Sequence, residues 1–361
     1  MNQINKKILV FDKFIGYNIG GAQKSLHRLL NKLNFDFVFL GCKVNRAFNA
    51  SKYLIEDLPV ERFLIREFKR FPYFEYWFNR CRVRMEIEKR KEDILFTQGL
   101  WGGMAVRFFK RQSVYFIRDE YQLNKIGVYQ IGIKKIIKYL YLFLQLPFIL
   151  IMFWDNKKAI HKATVVIANS KFIRDKIMEK FGVEAKIIYP LVDIDSLKMA
   201  ELPSKSERQF ITLIGSEIIK GREIVEKIAQ KMSDYKFMIV GREFLQPTIK
   251  ENIIYQPWSN DVLNIYKKTR LLLVPSVCDE AFGRTALEAL VLGIPVLGSD
   301  KGGIPEILSQ EYIVKDLYDY KKWQEKIESI FKKDFEIDTE RFSEKLQLEE
   351  FRKIIVNNFA I

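Results

Sequence analysis

The chain has 361 residues, which exceeds what one ordinary hydrophobic core organises and suits two domains of roughly 150–190 residues. A hydrophobic fraction of 48% excludes a disordered protein, and three widely spaced cysteines with two histidines argue against a disulfide framework or a zinc site. The formal net charge of +15 is uneven: residues 1–190 hold 35 Lys and Arg against 17 Asp and Glu, so this half is expected to face nucleic acid, an anionic lipid surface or an acidic acceptor.

The first half of the chain predicts alternating strands and helices. Its N-terminal apolar run is too short for a signal peptide, which favours a reducing cytoplasm. After a Gly-containing loop, leucines at helical spacing predict a helix over Ala22–Leu33. Short β-branched or aromatic runs predict buried strands at Lys7–Phe14, Phe35–Leu40, Asp93–Thr97, Ser113–Ile117 and Thr164–Ala168.

The second half repeats this scheme. Strands are predicted at Phe210–Ile214, Lys236–Val240, Leu271–Pro275 and Pro295–Gly298. Helices are predicted at Gly221–Met232, Asp261–Lys268, Thr285–Leu292 and Ile304–Leu308. Strands that alternate with helices indicate parallel sheets wound on both faces, and the change-over near Tyr189–Ser206 separates an α/β domain at 1–190 from another at 191–340. Such folds bind ligands at the carboxyl ends of their strands, here in a cleft between two domains.

The stretch Val274–Ile307, VPSVCDEAFGRTALEALVLGIPVLGSDKGGIPEI, is the most informative part of the chain. A strand, a loop and a helix start follow one another, so the backbone N–H groups of Ala281 to Arg284 can hold a phosphate, and Gly283 allows its close approach. Glu288 lies about one turn inside the helix and can accept bonds from a ribose diol, while Glu280 can reach sugar hydroxyls. The alternative is that these carboxylates are a helix-start acid and a solvated helix face.

This stretch resembles the signature block of the family 4 retaining glycosyltransferases of the group 1 type. The matching residues are Pro275-Ser276, Glu280, Phe282-Gly283, Glu288-Ala289, Gly293–Val296 and Ser299–Glu306. The resemblance implies the GT-B fold, an α/β architecture of two Rossmann-like doubly wound parallel-sheet domains that face each other across a cleft. It also implies that Glu280 and Glu288 are the family's pair of glutamates, and that residues 341–361 form a C-terminal helix, predicted at Arg341–Phe359, which crosses back to the N-terminal domain.

Other segments resemble the family more weakly. Asn18–Gln23, NIGGAQ, is similar to its N-terminal diglycine loop, in which Gly20 and Gly21 would let the backbone approach the donor phosphates; a simple strand–helix turn is the alternative. Gly215–Gly221, GSEIIKG, is similar to the phosphate-binding turn of the second domain, and Lys220 falls where the family places a lysine on the donor diphosphate.

The phosphate-binding turn departs from the family pattern. Ser216 stands where the family usually has Arg after the first Gly, and the spacing from Gly to Lys is one residue shorter. Diphosphate binding is therefore expected to rest on Lys220 together with Arg284 or with Arg242.

A second departure lies in Tyr115–Tyr121, YFIRDEY. Family members often have a His-Asp pair here, whereas this chain has Arg118 before Asp119. A guanidinium cannot act as a base, but it can hold a phosphate or a developing charge; alternatively, the loop aligns differently. His27 and His161 are interpreted as surface or packing residues.

The resemblance implies front-face transfer with retention of the anomeric configuration, in which Lys220 and helix-terminal amides stabilise the leaving diphosphate. It implies neither a cofactor nor a metal. The catalytic candidates are Glu280, Lys220, Arg118 and Asp119. The donor-binding candidates are Gly20, Gly21, Ser216, Lys220, Arg242, Ala281, Phe282, Gly283, Arg284, Thr285 and Glu288.

Two stretches account for the basic charge of the first half. Arg62–Arg84 interleaves Arg with Phe, Tyr and Trp. Tyr139–Trp154 has no ionisable group except two tyrosines, and its length is short for a membrane span. It is flanked by Lys134, Lys135, Lys138, Lys157 and Lys158. We expect an interfacial segment on the anionic inner face of the plasma membrane and a lipid-linked acceptor there; the alternative is a buried helix pair with a solvated basic rim.

The leading hypothesis is therefore a cytoplasmic, peripheral transferase that moves a sugar from a UDP- or GDP-sugar to a cell-envelope glycan or lipid-linked acceptor. The alternative is a catalytically silent relative that serves as a partner subunit, motivated by the missing Arg and His. A nucleic-acid-binding protein is disfavoured because it would give Glu280 and Glu288 no task. A Rossmann dehydrogenase is disfavoured because no Gly-x-Gly-x-x-Gly follows the first strand.

Overall fold

The computed structural model describes residues 6–17, 21–44, 58–130, 132–192, 194–199, 201–259, 261–332 and 338–359. Contacts within the chain divide it into two compact units. Unit 1 comprises residues 1–191 with 345–361, and unit 2 comprises residues 192–344. Within the described residues, each unit is built on one seven-stranded sheet.

The sheet of unit 1 is parallel throughout, with the order β3-β2-β1-β4-β5-β6-β7. Its strands are β1 (Lys7–Phe11), β2 (Asp36–Lys43), β3 (Val60–Leu64), β4 (Ile94–Gln98), β5 (Gln112–Ile117), β6 (Val165–Ala168) and β7 (Lys186–Ile187). The side chains of β4 and β6 are buried along their whole length, as expected for strands covered on both faces.

The helices of unit 1 before its last strand are α1 (Gly21–Asn31), α2 (Pro72–Phe78), α3 (Arg80–Glu88), α4 (Gly99–Phe108), α5 (Ile133–Leu144), α6 (Leu146–Lys162) and α7 (Lys171–Phe181). The leucines of α1 recur at helical spacing, and Leu26, Leu29 and Leu30 pack into the core beside Ile8 and Val10. The predicted helix and the five predicted strands of this half are all present, with ends shifted by a few residues.

Unit 2 has the strand order β10-β11-β9-β8-β12-β13-β14, parallel except for the antiparallel β10–β11 pair. The strands are β8 (Phe210–Ile214), β9 (Lys236–Gly241), β10 (Thr248–Lys250), β11 (Ile253–Pro257), β12 (Thr269–Val274), β13 (Val296–Ser299) and β14 (Ile313–Val314). The helices are α8 (Ile194–Lys198), α9 (Arg222–Lys231), α10 (Val262–Tyr266), α11 (Arg284–Val291), α12 (Ile304–Ile307) and α13 (Tyr320–Phe331).

The last helix, α14 (Glu344–Phe359), packs in the core of unit 1. Phe351, Ile355 and Phe359 are almost fully buried there, and the ring centroids of Phe96 and Phe351 lie 5.5 Å apart. The chain thus leaves unit 1 after β7, forms unit 2, and returns to unit 1 through this helix.

The apolar run Tyr139–Trp154 divides between α5 and α6, which meet at Gln145. Among the described residues, no single helix has the length and apolarity to cross a membrane; α5 and α6 together have both, but they are bent by 70°. Helix α6 buries residues such as Ile149 and Met152, whereas none of the twelve side chains of α5, all described, is buried. The alternative expectation of a buried helix pair therefore holds for part of α6 but not for α5.

Candidate active site

A cavity of about 260 Å³ lies in unit 2 at the carboxyl ends of β8, β9 and β12. Strand β8 pairs with β9 on one side and with β12 on the other, so the strand order reverses here. Ligands of open α/β sheets bind at such a point. Polar lining residues include Ser216, Lys220, Arg242, Ser276, Glu280 and Thr285.

A lysine–glutamate pair lines the cavity. Lys220 ends a short 3-10 turn, Ile218–Lys220, and its Nζ lies 2.5 Å from Oε1 of Glu280 in the loop after β12. The Ser276 hydroxyl donates to the same carboxylate oxygen at 2.7 Å. Burial lowers the pKa of Lys220, but the charge of Glu280 and its hydrogen bond more than offset this, so the pKa is raised. The lysine is therefore an ammonium that already has a carboxylate partner.

Two glycines bring these side chains together. Gly221 has φ +84°, and a Cβ there would overlap the carbonyl oxygen of Pro275, so the turn that carries Lys220 rests directly on the end of β12. Gly302 has φ +63°, and a Cβ there would overlap the backbone of Glu280. The Gly303 N–H donates to the Glu280 carbonyl oxygen at 2.7 Å. The diglycine of the KGGIPE segment thus fixes the loop that carries Glu280.

Helix α11 begins beside the cavity and carries Glu288. The Tyr266 hydroxyl lies 3.0 Å from Oε2 of Glu288 and donates to it, and Arg284 Nη2 donates to Oε1 at 3.1 Å. Burial, with the neighbouring Glu288 charge, raises the pKa of Tyr266 well above its usual value. The tyrosine therefore stays a hydrogen-bond donor, and two donors fix the orientation of this carboxylate.

The other candidates around α11 differ in accessibility. Thr285 lines the cavity, and Gly283 is the left-handed residue that precedes the helix. Phe282 is buried, with its ring centroid 5.5 Å from that of Phe342, so its side chain contributes packing. Ala281 lies in the same loop, half-buried, against Gly303.

Ser216 and Arg242 occupy different positions in the cavity wall. Ser216 is buried, and its hydroxyl donates to Glu243. Arg242 is exposed, and its guanidinium lies over the ring of Trp258 at 5.4 Å from the centroid. Both Arg242 and Trp258 line the cavity. Arg242 therefore brings a further cation to the wall that lacks the family's arginine at position 216.

The candidates of unit 1 lie near the carboxyl ends of its strands. Arg118, which follows β5, is only 8% exposed; its guanidinium lies over the ring of Phe116, and Nη1 is 3.4 Å from the carbonyl oxygen of Ala22. Asp119 caps a 3-10 turn by accepting from the Gln122 N–H at 3.0 Å, and burial raises its pKa. Gly21 is the first residue of α1, whereas Gly20 lies outside the described residues.

Two polar residues of this region were not among the candidates. Asp12, directly after β1, is 4% exposed and accepts from the Phe14 N–H at 2.7 Å; burial raises its pKa although Arg118 opposes this. His27 is also buried: its Nε2 accepts from the Gly16 N–H at 3.1 Å, and burial lowers its pKa to about 4. In unit 2, Ser276 and Trp258 are further cavity residues that the candidate set lacks. A polar residue directly after the predicted strand Leu271–Pro275 is an available signal for Ser276, whereas Asp12 lies inside the predicted strand Lys7–Phe14.

Two family models match the chain. Glycosyltransferase Family 4 matches residues 19–196, and Glycosyl transferases group 1 matches residues 221–348. The second match contains Glu280 and Glu288 and begins one residue after Lys220. The chain belongs to the family 4, group 1 glycosyltransferases. The resemblance seen in the sequence is thereby confirmed.

Two curated proteins are similar to parts of this glycosyltransferase. One is an uncharacterized 41.2 kDa protein in the cps region of Klebsiella pneumoniae, 28% identical over 163 residues, 40% of this chain and 45% of that protein. The other is D-inositol 3-phosphate glycosyltransferase of Mycobacteroides abscessus, 21% identical over 183 residues, 43% of this chain and 41% of that protein. The chain thus spans less than half the length of these curated relatives.

Solved structures share the fold along nearly the whole chain. Lipopolysaccharide outer core galactosyltransferase WaaB in its apo form has a TM-score of 0.67 at 14% identity, covering 98% of this chain and 100% of that one. Anabaena Alr3699/HepE in complex with UDP and glucose has a TM-score of 0.63 at 17% identity, covering 98% and 96%. The glycosyltransferase has the two-domain α/β GT-B fold, as predicted.

Proposed function

We propose that this chain is a retaining glycosyltransferase that moves a sugar from a UDP- or GDP-sugar to a cell-envelope glycan or lipid-linked acceptor. The observation that carries the proposal is the Lys220–Glu280 pair in a cavity at the strand ends of unit 2. Family membership supports sugar transfer, and the UDP and glucose held by the HepE relative favour UDP as the first nucleotide to test.

The paired charges suit an exchange of partners. An unpaired charge is costly in a partly buried site, and Lys220 is held against Glu280 in this cavity. When the donor binds, its diphosphate replaces Glu280 as the partner of the Lys220 ammonium, and Arg242 provides a second cation. Glu280 is released to accept hydrogen bonds from the sugar hydroxyls, while Glu288, held by Tyr266, accepts from the ribose.

The transfer step that we propose is the front-face transfer with retention that the family resemblance implies. The acceptor hydroxyl oxygen forms a bond to the anomeric carbon on the face from which the diphosphate leaves, and the bond between that carbon and the diphosphate oxygen breaks. The hydroxyl proton passes to the leaving diphosphate, whose developing charge Lys220 and Arg242 stabilise. The proposal assigns this charge stabilisation to side chains and helix amides, without a metal. In unit 1, we assign positioning roles to Arg118, which is buried, and to Asp119, which caps a turn.

The membrane part of the proposal rests on helix α5, whose amphipathic pattern is inverted. Its half-buried residues are Lys138, Tyr141 and Leu142, and the Tyr141 hydroxyl donates to the Arg70 carbonyl oxygen at 2.7 Å. Its apolar stripe points outward: Ile133, Ile137, Leu140 and Leu144 are 58–71% exposed. An apolar helix face beside lysines suits the interface of an anionic leaflet. We therefore place the acceptor at the inner face of the plasma membrane.

The donor part is tested by nucleotide binding. Isothermal titration with UDP and GDP is expected to show one site, and Glu288→Ala is expected to weaken it at least tenfold. Glu328→Ala is the matched control, because this glutamate is exposed on α13 away from the cavity. Equal affinities for both variants would contradict the proposed donor site. Retention is then read from the anomeric proton signals of donor and product by NMR.

A second candidate function is a silent partner subunit. Ser216 stands where the family usually has an arginine, and its hydroxyl donates to Glu243. Arg118 stands where the family often has a histidine, unless the loop aligns differently. A silent relative would bind UDP in the same titration, yet release neither UDP from UDP-sugars nor GDP from GDP-sugars in the presence of membrane lipid extract. If the wild-type chain turns over any of these donors faster than the Lys220→Met variant does, the silent-subunit candidate is excluded.

A further inference from the structure

A groove in unit 1 lies between α5 and α6 and has no role in donor binding. Its volume is about 730 Å³, which is within the range of small-molecule sites. Nine of its ten lining residues are apolar or aromatic, and Asn124 is the exception. Helix α5 supplies Leu140 and Phe143 to the wall, and α6 supplies Ile149, which is 4% exposed. The groove therefore suits a hydrocarbon chain and offers few partners to a sugar.

The groove is continuous with the outward stripe of α5. Ile136, Leu140 and Phe143 line the groove and are also 56–70% exposed. A chain could therefore pass from a bilayer around α5 into the groove without crossing a polar surface. A water-filled groove of this composition would leave apolar surface uncovered on both sides of the helix.

The polar end of the groove carries cations. Asn124 closes the 3-10 turn that follows Arg118 and Asp119 at the carboxyl end of β5. The Glu120 carboxylate neutralises Lys125, whereas the Lys180 ammonium is held by the carbonyl oxygens of Leu123 and Asn124 at 2.6 and 3.3 Å. The charge of Lys180 beside the Asn124 end of an apolar groove is complementary to a phosphate joined to a hydrocarbon chain.

We propose that this groove holds the hydrocarbon chain of a phosphate-bearing lipid acceptor. The inference rests on the proposed function and gives it a substrate class: the hydrocarbon chain lies between α5 and α6, and the phosphate lies near Lys180. The sugar to be extended then lies toward the carboxyl ends of the strands of unit 1.

A chain-length series tests the groove directly. Alkyl phosphates of six, eight, ten and twelve carbons are titrated into the full chain below their critical micelle concentrations. If the groove is filled stepwise, each added methylene raises the affinity about fourfold until the groove is full. Affinity that is independent of chain length overturns the proposal, as does the absence of binding.

A matched pair of variants separates the groove from the outer face of the same helix. Leu140 and Ile137 are 60% and 58% exposed, but only Leu140 lines the groove. Leu140→Glu is expected to weaken dodecyl phosphate binding at least tenfold, whereas Ile137→Glu changes it less than twofold. Both variants are expected to weaken binding to phosphatidylglycerol vesicles. An equal loss of dodecyl phosphate binding in both variants overturns the proposal.

Two further measurements distinguish a lipid-binding groove from a dimer interface and from a failure of the proposed function. Sedimentation velocity without lipid tests whether a second copy of the chain covers this face, and a dimer that Leu140→Glu dissociates would overturn the lipid assignment. UDP binding, measured on the same samples, reports on the donor site of unit 2 and should be unchanged in both variants. If the wild-type chain does not bind UDP, the proposed function is refuted. If it binds UDP but its affinity for alkyl phosphates does not depend on their chain length, only the groove proposal is refuted.

Discussion

The carboxyl edges of the two sheets use charged residues in opposite ways. In unit 2, Lys220 and Glu280 form a pair that lines a cavity, with the lysine side chain 34% exposed and the glutamate side chain 14% exposed. In unit 1, Asp12 and Arg118 are 4% and 8% exposed; Asp12 accepts from the Phe14 N–H of its own loop, and Arg118 contacts the Ala22 carbonyl oxygen in α1. The same kind of sheet edge thus presents exchangeable charges in one unit and fixed charges in the other.

The difference predicts what substitutions do in each unit. Charges that exchange partners contribute to binding and turnover, and their removal leaves the surrounding packing intact. Charges that satisfy buried backbone groups contribute to stability, because their removal leaves those groups without partners. Substitutions at the cavity of unit 2 should therefore change ligand binding, and those at the edge of unit 1 should change the free energy of unfolding.

The largest effect is expected for Lys220→Met, which keeps an unbranched side chain, one heavy atom shorter, and removes its charge. Turnover is expected to fall by about 10²–10³, because the leaving diphosphate loses a preorganised cation. UDP affinity should fall at least tenfold, and the thermal midpoint should change by less than a few degrees. Rates of UDP release and titration with UDP measure the two effects. A variant with normal turnover but lower stability would reverse the comparison between units.

Glu280→Gln sharpens the same test, because it removes the charge that competes for Lys220. Turnover should fall, since Glu280 is assigned to the donor sugar, while UDP affinity should stay equal or rise, since Lys220 no longer has to leave a carboxylate. Lys220→Met should lower the UDP affinity and Glu280→Gln should leave it equal or raise it, and this difference follows from the exchange of partners. A parallel loss of UDP affinity in both variants would contradict that exchange.

A glycine pair tests how the cavity is held. Gly302 and Gly293 have nearly equal φ angles, +63° and +66°, but a Cβ on Gly302 meets the Glu280 backbone, whereas one on Gly293 meets nothing within 4 Å. Gly293→Ala should cost about 1 kcal/mol of unfolding free energy through backbone strain alone. Gly302→Ala should cost about 3 kcal/mol and also weaken UDP binding, because the Glu280 loop must move. Urea unfolding and UDP titration of both variants provide the comparison, and equal UDP affinities would show that the diglycine does not position Glu280.

The sequence predicts the parallel strands well because buried runs such as Val165–Ala168 leave little ambiguity. It misses β3 (Val60–Leu64), whose charged residues Glu61 and Arg62 are typical of an edge strand and weaken the apolar signal. It also extends β1 to Phe14, whereas the strand ends at Phe11 because Asp12 accepts from the Phe14 N–H and starts a turn. Apolar periodicity alone does not show such a side-chain hydrogen bond.

The candidate site was predictable where its residues form one contiguous motif. Glu280, Thr285 and Glu288 were selected together because they lie within nine positions of each other. Their contact partners were less predictable, since Lys220 lies 60 residues from Glu280 and Tyr266 lies 22 residues from Glu288. The packing of Gly221 on Pro275 is a contact of the folded chain, and no spacing rule in a single sequence gives it.

A smaller effect is expected from Tyr266→Phe in unit 2. The substitution keeps the buried ring and removes the hydroxyl that donates to Glu288 at 3.0 Å. A hydrogen bond to a charged group contributes about 1.5 kcal/mol, so affinity for a nucleoside diphosphate should fall roughly tenfold if Glu288 loses its orientation entirely. Uridine binding should fall by the same factor, because the ribose and not the diphosphate is affected. Loss of UDP affinity without loss of uridine affinity would place Glu288 at the phosphates instead.

The smallest expected effect is a difference between the two units in how the free energy of unfolding depends on pH. Both histidines of the chain are in unit 1, and His27 has a pKa of about 4, below its usual 6.5, because it is buried and accepts from the Gly16 N–H. The unfolded chain therefore binds a proton at higher pH than the folded one, so the stabilisation is complete above pH 6.5 and is lost as the pH falls toward 4. At pH 5 the loss should be roughly 1–2 kcal/mol. Hydrogen exchange of peptides covering α1 measures it locally, and those covering α11 are the reference.

His27→Gln isolates this contribution, because the glutamine oxygen can accept from the Gly16 N–H and does not titrate in this range. The variant is needed because Asp12 affects the free energy of unfolding with the opposite sign. Burial raises the pKa of Asp12, so acid neutralises this buried carboxylate and stabilises the fold while it charges the histidine. The difference between wild type and His27→Gln removes the Asp12 term, which both chains share. That difference should be small at pH 7.5 and should grow in favour of the variant as the pH falls to 5. A constant difference would mean that His27 titrates normally and that the fixed-charge description of unit 1 is wrong at this position.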